Sequence, residues 1–127
     1  MNSNEGIAGF AYVFASVLFT VYGQIVVKWQ VSKAGALPDA LSGRVPFLLN
    51  LIFNPWIISG IVAGFFALIS WLVAMTKFDL SYAYPFTSLG FVAVLLLSAI
   101  LFHEPITVAK TLGVVLIIIG IIVGSRG

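Results

Sequence analysis

The sequence predicts an all-α integral membrane protein, a bundle of four antiparallel transmembrane helices working as a dimer. Three observations carry that prediction. Of 127 residues, 61% are hydrophobic and 8% are charged, whereas soluble domains run near about 25% charged. Four apolar stretches, at about 7–27, 55–75, 82–102 and 108–123, approach the roughly 20 residues that cross a hydrocarbon core. The links after the second and third stretches are so short that the helices they join must run antiparallel. These spans use most of the chain, so 1–127 reads as one four-helix membrane domain with no soluble domain beside it.

The first stretch carries a polar row. Tyr12, Ser16, Thr20, Gln24 and Lys28 recur every four residues in an otherwise apolar run. Positions four apart stack along nearly one helix face. In hydrocarbon each of these groups needs a partner or water, so the row should face the protein interior or a wet cavity. It therefore points to a transport path. The alternative is that these groups bond their own backbone or hold two helices together. Met1–Gly6 has no Lys or Arg, so the stretch reads as an uncleaved first helix rather than a signal peptide.

Residues 28–54 form the long link. Gly35, Pro38 and Asp39 break structure there, and the short apolar run 45–53 reads as an interfacial segment or an early extension of helix two. Asn54-Pro55 reads as a cap followed by the first helical residue. The third span opens Ser81-Tyr82-Ala83-Tyr84-Pro85-Phe86-Thr87-Ser88. Ser81 can cap it, and Pro85 deprives a carbonyl about four residues back of its intrahelical donor. Tyr84, Thr87 and Ser88 share a face by spacing. The alternative is a kink plus interfacial tyrosines. Thr107 is the expected N-cap of the fourth span. There Gly113, Gly120 and Gly124 line one side, either as a dimer interface or for packing within one subunit.

Charge and composition narrow the function. Lys28, Lys33, Arg44 and Lys110 share one side of the membrane, and Lys77 and Arg126 the other. The positive-inside rule places the first group in the cytoplasm, by a small margin. Six basic residues flanking spans are topology and headgroup contacts, so no nucleic-acid partner is expected. There is no cysteine, and His103 has only Glu104 beside it, so neither a disulfide nor a metal site is expected. No phosphate-cradling loop or nucleophile–base pair appears, so the chain is not expected to be an enzyme or to hold a cofactor. Four helices can hardly surround a solute larger than an ion, so a path between two subunits is expected.

The run Val13-Phe14-Ala15-Ser16-Val17-Leu18, then Gly23-Gln24 and Lys28, resembles the opening of a known family. So do Ala83-Tyr84-Pro85, Ser88-Leu89, Phe91-Val92, His103-Glu104-Pro105 and the Gly113 to Gly120 run for its later helices. The chain resembles single-repeat members of the drug/metabolite transporter superfamily (EamA-like). Within it, the likeness is greatest to the small flippase subunits for aminoarabinose-phosphoundecaprenol. More distantly, the chain is similar to small multidrug resistance exporters. The resemblance implies four helices per chain, dimeric assembly with a second copy or a homologue, and movement of a lipid-linked sugar across the bacterial inner membrane. The exporters carry a membrane-embedded glutamate three residues before the helix-one glycine, and Thr20 stands at the matching place here. No Asp or Glu lies deep in any span, so proton-coupled export of cationic drugs is not expected.

A lipid-linked sugar phosphate fits such a path, because its tail stays in lipid while only the head group crosses. Ser16, Thr20, Gln24, Tyr84, Thr87 and Ser88 are the expected sugar-binding residues. Lys28 is the expected phosphate partner, the alternative being snorkelling to the interface. Lys33, Arg44 and Lys110 are other phosphate candidates. Glu104 is expected either to bind a sugar amino group or to stabilise the turn before helix four. A small-solute exporter and an accessory subunit of a glycosyltransferase system are the competing functions.

Overall fold

A computed structural model describes residues 3–127. Met1 and Asn2, part of the stretch read above for a signal peptide, lie outside the described residues. Six α-helices and one 3-10 turn follow in order: α1 (Ser3–Ala34), α2 (Leu41–Ile52), α3 (Pro55–Met75), α4 (Leu80–Ala83), the 3-10 turn (Tyr84–Ser88), α5 (Leu89–Leu101) and α6 (Val108–Gly124). Three stretches are long and apolar enough to cross a membrane: Asn4–Ala34, Pro55–Met75 and Leu80–Leu101. The 17 residues of α6 fall just short; at about 1.5 Å per residue they reach roughly 26 Å, against a core of about 30 Å.

The first helix is longer than its apolar run. It spans 32 residues, about 48 Å, so one end must stand clear of the hydrocarbon. Gly35 terminates it with φ +88°, a left-handed conformation that suits glycine after a helix. The long link is therefore not a loop over 28–54. Its first part continues α1, and its second part is α2, a separate helix of 12 residues with no buried residue. The expected caps form on either side of the other helices. Asn54 accepts the Trp56 amide at 2.8 Å, and Thr107 accepts that of Lys110 at 3.1 Å.

Ser81 does not cap the third span. Asp79 occupies the cap position without a side-chain bond, and Ser81 lies inside the first turn. Around Pro85 the five residues Tyr84–Ser88 take 3-10 geometry rather than a simple kink. The 3-10 turn reaches back one residue less, so the missing proline N–H disturbs the ladder only locally. His103 turns the chain between α5 and α6 at φ +55°, a region in which histidine is enriched.

Packing centres on α1 against α3. The inward face of α3 is a row of small residues, Gly60, Ala63, Ala67, Ser70 and Ala74. Small residues let membrane helices approach closely, where dispersion rather than the hydrophobic effect holds them. The closest approach is at Gly23 and Gly60, where a Cβ on Gly23 would lie 3.3 Å from the Gly60 carbonyl oxygen. One end of this pair holds the core of Val13, Ala74 and Ala83, sealed by Trp71, Phe78 and Phe86. Phe10 adds a tilted contact to Phe78 and an edge contact to Phe86, with ring centres at 4.9 and 5.4 Å. At the other end Trp29 meets Trp56 edge-on at 5.0 Å.

These contacts set the directions. Residue 9 lies by residue 78 and residue 30 by residue 54, so α1 and α3 are antiparallel. Val17 and Val21 flank Gly90, and Lys28 lies by Glu104, so α1 and α5 are parallel. Gly127 returns to the end that holds Gly6 and Lys77.

Candidate functional site

The polar row of α1 does not hold one face over its whole length. A step of four residues advances about 400°, so each step slips by about 40°. From Tyr12 to Lys28 the row winds through about 160°. Ser16 is buried, while Tyr12, Thr20, Gln24 and Lys28 are exposed to different surroundings.

Only part of the predicted site comes together. Ser16 and Thr20 meet Thr87 across a cleft of about 60 Å³ between α1 and the third span, floored by Val17 and Gly90. The absence of a side chain on Gly90 helps open this cleft: a Cβ there would lie 3.6 Å from Val17. Thr87 donates its hydroxyl proton to the Tyr84 carbonyl at 2.6 Å, leaving its oxygen lone pairs for an incoming donor. Ser32, Ser59, Thr76, Thr111 and Ser125 likewise spend their protons on their own helices. Ser16 and Thr20 make no such bond among the described residues, so both hydroxyls face the cleft with donors to offer.

Lys28 and Glu104 form the second pairing. Their charged atoms are 3.6 Å apart and both side chains are partly exposed. Pairs of this kind contribute about 0.2–1 kcal/mol, so the contact fixes position more than stability. The pair brings the two expected charged residues to the same end of the chain. One turn along α1 from Lys28, Gln24 is exposed and makes no hydrogen bond among the described residues.

Three expected residues are not brought to the cleft. Gln24 and Ser88 are not among its lining residues. Tyr84 turns away, with its ring edge-on to Trp71 at 6.1 Å and a shallow apolar surface formed with Leu80 and Ser81. The 3-10 turn is the reason. It places the Thr87 hydroxyl within reach of the Tyr84 carbonyl, but sends the long tyrosine side chain toward α3. Gly90 and Gly60 went unnoticed in the sequence. The small-residue spacing of α3 from Gly60 to Ala74 would have revealed the second.

The glycines expected at a dimer interface have open space beside them. A Cβ on Gly113, Gly120 or Gly124 would meet no atom within 4 Å, and α6 buries no residue fully. Among the described residues there is no group of three or more His, Cys, Asp and Glu able to hold a metal ion.

The chain has known relatives. A family model described as Small Multidrug Resistance protein matches residues 50–117. The sequence is 32% identical over 121 residues to a protein of Pseudomonas fluorescens named probable 4-amino-4-deoxy-L-arabinose-phosphoundecaprenol flippase subunit ArnF, covering 93% of this chain and 88% of that one. A protein of the same name from Aeromonas salmonicida is 31% identical over 133 residues, covering 99% and 85%. A protein of Aeromonas salmonicida named as the ArnE subunit of that flippase is 39% identical over 69 residues, 54% of this chain and 60% of that one. No solved structure matches.

Proposed function

On the premise that the chain belongs to the Small Multidrug Resistance protein family, we propose that it is one subunit of a flippase for a polyprenyl-phosphate-linked sugar in the bacterial inner membrane. Its relatives are transport subunits rather than enzymes, and they bear the names of both an ArnF and an ArnE subunit of an aminoarabinose-phosphoundecaprenol flippase. The observation that carries the reading is the hydroxyl-lined cleft of Ser16, Thr20 and Thr87. Its lining has no ionisable group, and Ser16 and Thr20 keep their donors. Sugar hydroxyls both donate and accept, so they can exchange water for these side chains as the head group crosses.

The Lys28–Glu104 pair supplies charge at one end of the path. Lys28 attracts the phosphate while Glu104 accepts a sugar amine, and a zwitterionic head group can replace the internal pair without leaving a charge unmatched. The cleft of about 60 Å³ takes a few waters but no pyranose ring. A second subunit must therefore widen and complete it. The open α6 surface supports such a partner, either a second copy or a homologue, and α6 would then complete the fourth crossing.

Export of a small cationic solute is the competing reading that the family match favours. It would need an acidic group in the path, and the acidic residues Glu5, Asp39, Asp79 and Glu104 all lie at helix ends or in links.

The test uses the purified chain, alone and with a homologous partner, in liposomes holding a short-chain polyprenyl-phosphate sugar. Access of an impermeant oxidant to the inner-leaflet pool reports transfer. Thr20→Val keeps the side-chain shape and removes the hydroxyl, and should slow transfer about tenfold through loss of roughly 1–1.5 kcal/mol of hydrogen bonding. Wild-type transfer by Thr20→Val at equal protein would remove the cleft from the path.

A further inference from the structure

A second polar site lies on the opposite side of α1 from Lys28, where α1, α2 and the start of α3 meet. Gln30, Lys33, Phe47, Asn50, Leu51 and Asn54 line a concavity of about 350 Å³. Gln30 is only 5% exposed, and its amide nitrogen is buried without a hydrogen-bond partner.

The orientation of that amide follows from its neighbours. The Trp56 backbone N–H donates to Asn54 Oδ1. The Asn54 nitrogen then donates to Gln30 Oε1 at 3.2 Å. A flip of either amide would set donor against donor, so this relay fixes both. Gln30 Nε2 is left with donors and no acceptor, which a buried group ordinarily does not tolerate. Lys33 brings a positive charge to the same concavity, its ammonium held 4.4 Å from the Trp29 ring centre. Asn50 offers a further amide, and no acidic side chain lines the site. Any oxygen acceptor would satisfy the Gln30 amide, and the Lys33 charge with no acidic residue in the lining favours an anionic one.

The level of the site identifies its source. Trp29 and Trp56 meet edge-on beside it, and paired tryptophans with lysine mark the headgroup layer of a bilayer. We propose that this concavity holds the phosphate of a membrane lipid headgroup, with Gln30 and Lys33 as its donors and the acyl chains running down the exposed apolar sides of the helices. The site lies apart from the Ser16–Thr20–Thr87 cleft and does not depend on the transfer reading. Held there, the lipid braces α2 against the α1–α3 pair, which few protein contacts otherwise do.

Native mass spectrometry of the delipidated full-length chain tests this directly, with phosphatidylglycerol, diacylglycerol or inorganic phosphate added in turn. One tightly held phosphatidylglycerol is expected, with diacylglycerol bound at least tenfold more weakly. Lys33→Ala and Gln30→Leu should each weaken the phospholipid about tenfold. Lys77→Ala, which removes the same charge at the other end, should not. Lys33 is exposed, so its variant keeps the fold even where Gln30→Leu does not. Equal phospholipid retention by Lys33→Ala and wild type, or equal binding of diacylglycerol, would overturn the proposal. Inorganic phosphate binding as tightly as the lipid would replace the headgroup with the free anion. None of these readouts involves transfer, so the two proposals fail separately.

Discussion

The α1–α3 pair and α6 are both apolar helices, yet they are finished to different degrees. The pair meets through Gly23 and Gly60, with the small residues of α3 turned inward. Some of its polar groups are matched within the chain: Tyr22 and Ser59 share a hydrogen bond of 2.8 Å, and Asn54 donates to Gln30 Oε1. In α6 the glycines face open space and no residue is fully buried. The same residue type thus has two roles. In the pair it is the contact itself, while in α6 it leaves a groove that nothing in the chain fills. The contrast teaches that one helix pair completes its packing within the chain, whereas α6 leaves its glycine face uncovered by it.

That contrast can be broken at its strong side first. In Gly23→Leu the new side chain must enter the space held by the Gly60 carbonyl, so α1 and α3 must part. Overpacking of this kind costs about 1–3 kcal/mol, and a lowered unfolding midpoint in detergent should show it. An unchanged midpoint would mean that the glycine contact does not hold the pair. Gly120→Leu sharpens the other side. It should leave the single chain as stable as before, because a Cβ there has room. If a partner helix lies on this face, association should weaken about tenfold, or roughly 1.4 kcal/mol. Energy transfer between labelled subunits in liposomes would read this, and unaltered association would move the interface elsewhere. The smallest effect is expected from Thr107→Ala. Loss of the cap on the Lys110 amide should cost about 1 kcal/mol, seen as faster hydrogen exchange at the start of α6 with the α1–α3 amides unaffected.

Local chemistry made much of this legible before folding. Low charge and long apolar runs announce membrane helices, and Asn54-Pro55 and Thr107 announce helix starts, because each depends on residues a few positions apart. Pro85 likewise marks a break, though not its 3-10 form. The site was legible only in part, since four-residue spacing describes a face well for two or three turns and then drifts. Ser16 and Thr20 stayed with Thr87, whereas Gln24 and Tyr84 went elsewhere.

By itself the sequence determined the class of the protein, the approximate positions of its long apolar helices, the caps at Asn54 and Thr107, and the absence of a carboxylate deep in the spans. These follow from composition and short-range geometry, which do not change when helices pack. Only the tertiary structure decided that Lys28 meets Glu104 across 76 positions of chain, that Gly23 meets Gly60, and that Gln30 is buried with a donor to spare. Each depends on the angle and register at which one helix lies against another. A turn of a few tens of degrees decides whether a polar side chain faces a partner, a cleft or lipid, and no residue on a single helix encodes that turn alone.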